Sequence, residues 1–299
     1  MARSTTLGNL EARPSLRACV ELFKPITWFP PMWAFGCGLA SATGSLSVFF
    51  AVLGVLLCGP LVCGTSQAIN DWFDRDVDAI NEPGRPIPSG RVPGLWGLWL
   101  AIAGTVASLL VSIAFSGFVV VATAIGLLLA WAYSAPPLRL KRNGWWGNAA
   151  VGLCYEGLPW VTGAAVVLGA MPGAEVFALA LLYSAGAHGI MTLNDFKSIE
   201  GDLRLGIGSL PAQLGPERAA RLACWVMAVP QAAVVCLLVH WGRDGAATAV
   251  AASLVVQVLL MRRLLQRPRE LAPWYNATGV TLYVAGMLVS AFALRGGLP

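Results

Sequence analysis

Residues 48–78 read VFFAVLGVLLCGPLVCGTSQAINDWFDRDVD. A helix crossing the hydrocarbon of a bilayer needs ~20 mostly apolar residues, and residues 48–69 supply them before polarity changes abruptly at Asn70-Asp71-Trp72-Phe73-Asp74-Arg75-Asp76-Val77-Asp78. Four carboxylates fall within eight residues there. Asp71, Asp74 and Asp78 are spaced i, i+3, i+7, so continued helix puts them on one face and turns Asp76 away. The stretch predicts a membrane helix that ends in a face of like charge.

The rest of the chain repeats the apolar half of this pattern. Of 299 residues, 57% are hydrophobic and only 12% charged, which excludes a soluble core with a wetted surface. Further spans are expected at 27–44, 93–115, 118–134, 148–168, 174–193, 219–240, 246–261 and 276–294, nine in all. The fold class is therefore an all-α polytopic membrane protein, nine helices around a central cavity. Its parts are a tail over 1–26, one nine-helix domain over 27–294 with polar loops at 70–92 and 194–218, and a short tail over 295–299.

Eighteen of the twenty Lys and Arg residues fall on one side of such an arrangement and only Arg243 and Arg295 on the other, which predicts a cytoplasmic N-terminus and both motif loops, after helices two and six, on the cytoplasmic face. The net charge of +5 thus reports topology rather than a nucleic-acid partner. Residues 1–24 are polar and basic and carry no secretory signal core. The seven cysteines lie mostly within predicted helices, without metal-type clustering, and read as packing residues.

Three like charges on one helix face repel, and the sequence nearby shows too few cations to neutralise them. A divalent metal would. Mg²⁺ takes one or two carboxylates together with phosphate oxygens and water, so Asp71, Asp74 and Asp78 are candidate ligands for a metal-bridged diphosphate. The competing reading is a solvated acidic loop end. Asn70 can orient the ligand or cap a turn. A second cluster, Asn194-Asp195-Phe196-Lys197-Ser198-Ile199-Glu200-Gly201-Asp202, places Asp195 and Asp202 seven residues apart on one face, with Ser198 between them. Two such clusters can clamp a diphosphate through two or more Mg²⁺ ions. The chemistry this serves is departure of diphosphate from an allylic carbon, in which Asp71, Asp74, Asp195 and Asp202 are the expected catalytic carboxylates.

Arg85, Arg91, Lys141, Arg142, Lys197 and Arg204 lie on the same side and are candidates for the phosphates, though each also fits an interfacial anchor. Lys24, Trp28, Phe29, Trp33, Tyr133 and Tyr155 are candidates for the substrate pocket, where aromatic faces steady an allyl cation. Interfacial aromatics are common in membrane proteins, which is the competing reading. Glu156 is a carboxylate at depth, a functional candidate by its cost alone. His188, seven residues before Asp195, can face the acceptor or pack between helices. No Ser-His-Asp, Walker or dinucleotide pattern is present.

Asn70-Asp71-x-x-Asp74-x-x-x-Asp78 resembles the first Asp-rich motif of the UbiA superfamily of intramembrane prenyltransferases, and Tyr133-Ser134-x-Pro136-Pro137-x-Arg139-x-Lys141 resembles a segment common in it. Lys24-Pro25-Ile26-Thr27-Trp28-Phe29-Pro30-Pro31-Met32-Trp33-Ala34-Phe35 and Asp195-Phe196-Lys197-Ser198-Ile199-Glu200-Gly201-Asp202 resemble the chlorophyll and bacteriochlorophyll synthase branch. The resemblance covers nearly the whole chain. It implies Mg²⁺-dependent esterification of the propionate of chlorophyllide or bacteriochlorophyllide with geranylgeranyl or phytyl diphosphate, the last step of pigment synthesis. The place implied is a bacterial inner, photosynthetic membrane, with pigment-handling proteins as possible partners. The superfamily's second motif usually has Asp where this chain has Ser198, which leaves Asp195 and Asp202 as the expected ligands and Glu200 as a possible helper. A quinone precursor or haem as acceptor, and a cation transporter, are the alternatives weighed.

Overall fold

In the computed structural model, residues 13–45 and 47–295 are described; Arg3 of the basic tail and residues 296–299 lie outside them. Helix dominates. The order is α1 (Leu16–Leu22), α2 (Phe29–Ala40), α3 (Val48–Asn81), α4 (Trp96–Ser112), α5 (Gly117–Ser134), α6 (Gly144–Leu168), α7 (Ala174–Asn194), α8 (Ile199–Leu205), α9 (Leu210–Leu214), α10 (Pro216–His240), α11 (Asp244–Leu264) and α12 (Pro268–Leu294). Seven helical stretches are long and apolar enough to cross a membrane: α3, α5, α6, α7 with its continuation to Leu205, α10, α11 and α12. The α4 helix is apolar but has 17 residues, and α2 has 12.

Two sequence expectations change here. The acidic stretch is not a loop from residue 70, because α3 runs on through Asn81; no helix breaker occurs before Pro83 and Gly84, and Glu82 N–H closes the last turn on Asp78 O at 2.8 Å. The expected loop 194–218 is also largely helical. The α7 helix tightens to a 3₁₀ turn at Asp195–Ser198 and resumes as α8, and Gly206, at φ 65°, closes α8 in the left-handed conformation that glycine adopts without strain.

Both α3 and α6 contain a wide π-helical segment, Leu57–Cys63 and Leu153–Gly157. Proline explains the first: Pro60 has no N–H to give and its ring crowds the carbonyl a turn earlier, so the helix widens. In the second, Pro159 follows two residues after the widened turn.

Inside lipid, helices associate through close packing and interhelical hydrogen bonds, without a hydrophobic force between them. The α2 and α6 helices touch backbone to backbone. A Cβ on Gly38 would collide with Trp160 O, and one on Gly163 with Phe35 O. Beside this seam three buried aromatics find a partner: Trp160 Nε1 donates to Ser41 Oγ at 2.8 Å, Tyr183 OH bonds Ser290 Oγ at 2.8 Å, and Tyr283 OH donates to Tyr183 O at 2.9 Å. This core fixes α2, α6, α7 and α12 and leaves a cavity on the other side of α6.

Candidate active site

The cavity has a volume of about 410 Å³, within the ~300–1,000 Å³ range of small-molecule sites. Its walls are the two wide turns, contributing Leu57, Cys58 and Val62 from α3 and Cys154 and Tyr155 from α6, with α5 opposite. Asn70 and Asn194, the first residues of the two acidic motifs, both line it. Tyr133 stands in the same wall, next to Ser134, whose Oγ accepts from Asn70 Nδ2 at 3.5 Å. The sequence-distant clusters therefore converge on the mouth of one apolar pocket.

The first cluster is heavily paired. Lys24 Nζ lies 2.6 Å from Asp71 Oδ1, Arg85 Nη1 lies 2.7 Å from Asp78 Oδ2 and 3.4 Å from Asp71 Oδ1, and Lys141 Nζ lies 2.5 Å from Asp74 Oδ1. Arg139 Nη2 adds a contact to Asp74 at 3.4 Å, and Asn70 Nδ2 donates to Asp74 Oδ2 at 3.1 Å. The expectation that nearby cations are too few is thus corrected: the compensating charges come from residues up to 67 positions away. As the spacing predicts, Asp71 and Asp78 are buried while Asp76 is exposed.

Lys24 (φ 45°) and Arg139 (φ 41°) are the two non-glycine residues with positive φ among those described. Such backbone is strained for a side-chain-bearing residue and persists where the surroundings hold it. Both point a cation at the acidic face. Lys141, outside the membrane-spanning helices, is held below the ordinary ammonium value by burial, with the neighbouring Asp74 charge opposing the shift.

The second cluster has neutral partners. Asn148 Nδ2 donates to Asp195 Oδ2 at 3.3 Å, and Ser198 Oγ donates to Asp202 Oδ2 at 2.9 Å. Asn194 Oδ1 accepts from Asn276 Nδ2 at 2.8 Å, which ties the motif to α12. A reciprocal pair of backbone bonds, Gly144 N to Gly208 O at 2.7 Å and Gly208 N to Arg142 O at 2.9 Å, clips the segment carrying Lys141 to the one following α8.

A family model for the UbiA prenyltransferase family matches residues 28–293. The chain belongs to the UbiA prenyltransferase family. Relatives include the bacteriochlorophyll synthase 33 kDa chain of Cereibacter sphaeroides, 56% identical over 289 residues and covering 95% of this chain and 94% of that one. The chloroplastic chlorophyll synthase of Avena sativa is 39% identical over 287 residues, covering 92% and 75%. Among solved structures, a UbiA homolog from Archaeoglobus fulgidus bound to DMAPP and Mg²⁺ superposes with a TM-score of 0.71 at 20% identity, covering 94% of this chain and 100% of that one. That likeness establishes the UbiA fold.

A divalent cation fits the donor set of this UbiA chain. Asp71 Oδ2 is buried with no hydrogen-bond partner, an acceptor oxygen aimed at nothing in the protein. Among the described residues no three His, Cys, Asp or Glu side chains gather closely enough to hold a metal by themselves. Mg²⁺ is commonly shared in this way, one or two carboxylates on one side and substrate phosphates on the other.

Other sequence candidates lie away from the cavity. Arg91 forms a paired contact with Glu21 of α1, and Arg142, Lys197 and Arg204 are exposed. Glu200 pairs with Arg269 at 2.9 Å on the surface. Trp28 Nε1 donates to Phe23 O at 2.8 Å, Trp33 Nε1 donates to Val284 O at 3.1 Å, and Phe29 is 55% exposed. His188 Nε2 bonds Trp145 O at 3.2 Å. Glu156 is buried yet absent from the cavity wall; the widened turn sends its neighbour Tyr155 inward instead. Conversely, Thr27, Ser66, Gln67 and Met191 line the cavity without having been singled out. Gln67 and Ser66 fall three and four residues before Asn70, a spacing that would have marked them as the next turn of the same face.

Proposed function

We propose that this chain transfers a geranylgeranyl or phytyl group from its diphosphate to the propionate carboxylate of a chlorophyllide or bacteriochlorophyllide, releasing diphosphate at the last step of pigment synthesis. The observation that carries the reading is that Asn70 and Asn194, which open the two aspartate clusters, both line a single apolar cavity, with Lys141 and Asn70 both bonded to Asp74 beside it. An apolar chain suits the walls and a polyanion suits the rim. The kinship to bacteriochlorophyll and chlorophyll synthases supports the choice of acceptor.

In this reading Asp71, Asp74 and Asp78 on one side and Asp195 and Asp202 on the other hold two or more Mg²⁺ ions shared with the diphosphate. Bound Mg²⁺ supplies charge neutralisation of the departing diphosphate. Lys141 and Arg85, already at the carboxylates, lie in place to meet phosphate oxygens as charge grows on them. Tyr133 presents an aromatic face near the ionising carbon. A propionate has a pKa near that of Glu, about 4–5, so at neutral pH its oxygen already carries the lone pair that bonds to C1. The C1–O bond to diphosphate breaks with its electron pair, and no proton moves. A general base is not required.

We further read the bundle as nine crossings, counting the short α2 and α4, in one domain over 27–294. The acidic rim and the N-terminus face the cytoplasm of a bacterial inner membrane, an orientation supported by the eighteen-to-two distribution of basic residues.

Membranes carrying the protein, incubated with Mg²⁺, geranylgeranyl diphosphate and a panel of chlorophyllide a, bacteriochlorophyllide a and 4-hydroxybenzoate, are expected to yield an esterified pigment by mass detection. Prenylated hydroxybenzoate without pigment ester would sink the acceptor assignment and leave prenyl transfer standing.

A further inference from the structure

Most of the cavity wall is apolar, and two of its polar side chains stand together where a prenyl chain has no use for them. Gln67 on α3 and Tyr155 on the widened turn of α6 both face it, and Gln67 Nε2 donates to Tyr155 OH at 3.1 Å across the pocket. Cys63 Sγ lies 3.7 Å from the same hydroxyl, but its single proton has a nearer acceptor in Thr27 O at 3.3 Å. The Tyr155 hydroxyl therefore accepts from Gln67 and keeps its own proton, for which only a sulfur, a weak acceptor, is close. Gln67 spends one of two amide hydrogens. Two donors are left facing the largely apolar cavity, an arrangement that costs stability unless an oxygen takes them up.

Their position matters as much as their chemistry. Gln67 precedes Asp71 by four residues on one helix, so it lies about 6 Å deeper along the axis, just inside the acidic rim. A diphosphate held at that rim would bring its C1 toward this level.

We propose that Gln67 and Tyr155 form the seat for the acceptor's carboxylate. This rests on the functional reading above. One propionate oxygen takes the Tyr155 O–H and the second Gln67 N–H, and the other is left facing C1. Its lone pair forms the ester bond while the C1–O bond to diphosphate breaks. The pair selects acids over neutral pigments and fixes the attacking oxygen; the diphosphate is bound elsewhere, at the rim.

The test uses full-length protein in detergent, with Tyr155→Phe and Gln67→Leu. In steady-state assays each variant is expected to lose roughly tenfold to a hundredfold in kcat/KM for bacteriochlorophyllide, the size of one hydrogen bond to a charged group. The KM for geranylgeranyl diphosphate stays within about twofold of the parent's on this account. In Mg²⁺-free buffer, where no turnover competes, wild type binds the free acid more tightly than its propionate methyl ester, and that preference shrinks in Tyr155→Phe and in Gln67→Leu. If Tyr155→Phe does not accumulate folded, Gln67→Leu decides. Both variants keeping the acid preference, or raising both KM values together, overturns the seat. Wild type that makes no pigment ester overturns the functional reading instead, and that arm is scored separately.

Discussion

The two acidic clusters meet at one cavity mouth but are held in opposite ways. Asp71, Asp74 and Asp78 are matched by Lys24, Arg85, Arg139 and Lys141, so that half of the site is close to neutral before anything binds. Asp195 and Asp202 are held by an amide and a hydroxyl, which orient carboxylates without cancelling their charge. A cation at the first cluster would share its carboxylates with the ammonium and guanidinium groups already paired to them. At the second it would meet carboxylates that have no ion-pair partner among the described residues. In the proposed mechanism the first half would serve as a charge relay to the leaving group and the second as an anchor.

The sharpest way to break this contrast is to neutralise one member of each. Asp71→Asn is expected to lower turnover by roughly 10²–10³-fold, the usual cost of removing one preorganised electrostatic contact. It leaves Lys24 without its partner while Arg85 keeps Asp78, so equilibrium binding of the prenyl diphosphate, read by fluorescence competition, should hold or tighten. Asp195→Asn is expected to cost less at saturating Mg²⁺ and to raise the half-saturating Mg²⁺ concentration; equal Mg²⁺ titrations for the two variants would erase the distinction.

A milder change addresses pH. Burial holds the Lys141 ammonium below its ordinary range, so its charge is present at low pH and lost as pH rises through that lowered value. The kcat/KM for prenyl diphosphate, which reports the unliganded enzyme, should fall on the alkaline side. Lys141→Arg, whose guanidinium stays protonated, should carry that limb to higher pH, and an unmoved limb would remove Lys141 from the phosphate contacts.

The smallest expected effect sharpens the comparison from the other side. Ser198→Asp puts a third carboxylate beside Asp202, where Ser198 Oγ now sits 2.9 Å from Asp202 Oδ2. A few-fold lower Mg²⁺ requirement is expected from the added hard oxygen ligand. A higher one would mean that repulsion between the carboxylates outweighs ligation.

Much of this was legible in the sequence because it rests on local repetition. Apolar runs announced the helices, and the 71, 74, 78 spacing announced a face that the structure shows with Asp71 and Asp78 buried and Asp76 outside. What could not be read is what depends on contacts between distant segments. Nothing local to Lys24 says that it meets Asp71 across 47 residues, nor that Arg139 takes a left-handed backbone to reach Asp74. The same limit applies at Glu156, which stands out in the sequence as a lone acid at depth yet is absent from the cavity wall, while its neighbour Tyr155, a pocket candidate by its aromatic ring, lines it. Gln67 carries no charge and gave no signal beyond its spacing from Asn70.

The widened segment of α3, Leu57–Cys63, lies upstream of every carboxylate in the first cluster. A π turn accommodates one residue more than the α-helix would, and one residue is about 100° of rotation. The segment thus works as a phase shifter on a screw: it sets the angle at which everything downstream emerges without touching the site. Removing one residue there would keep all three aspartates, their spacing and the helix, yet aim them at a different wall of the bundle. Catalytic residues can be intact in composition and absent in azimuth, and in this protein the azimuth is written some ten residues before the motif that uses it.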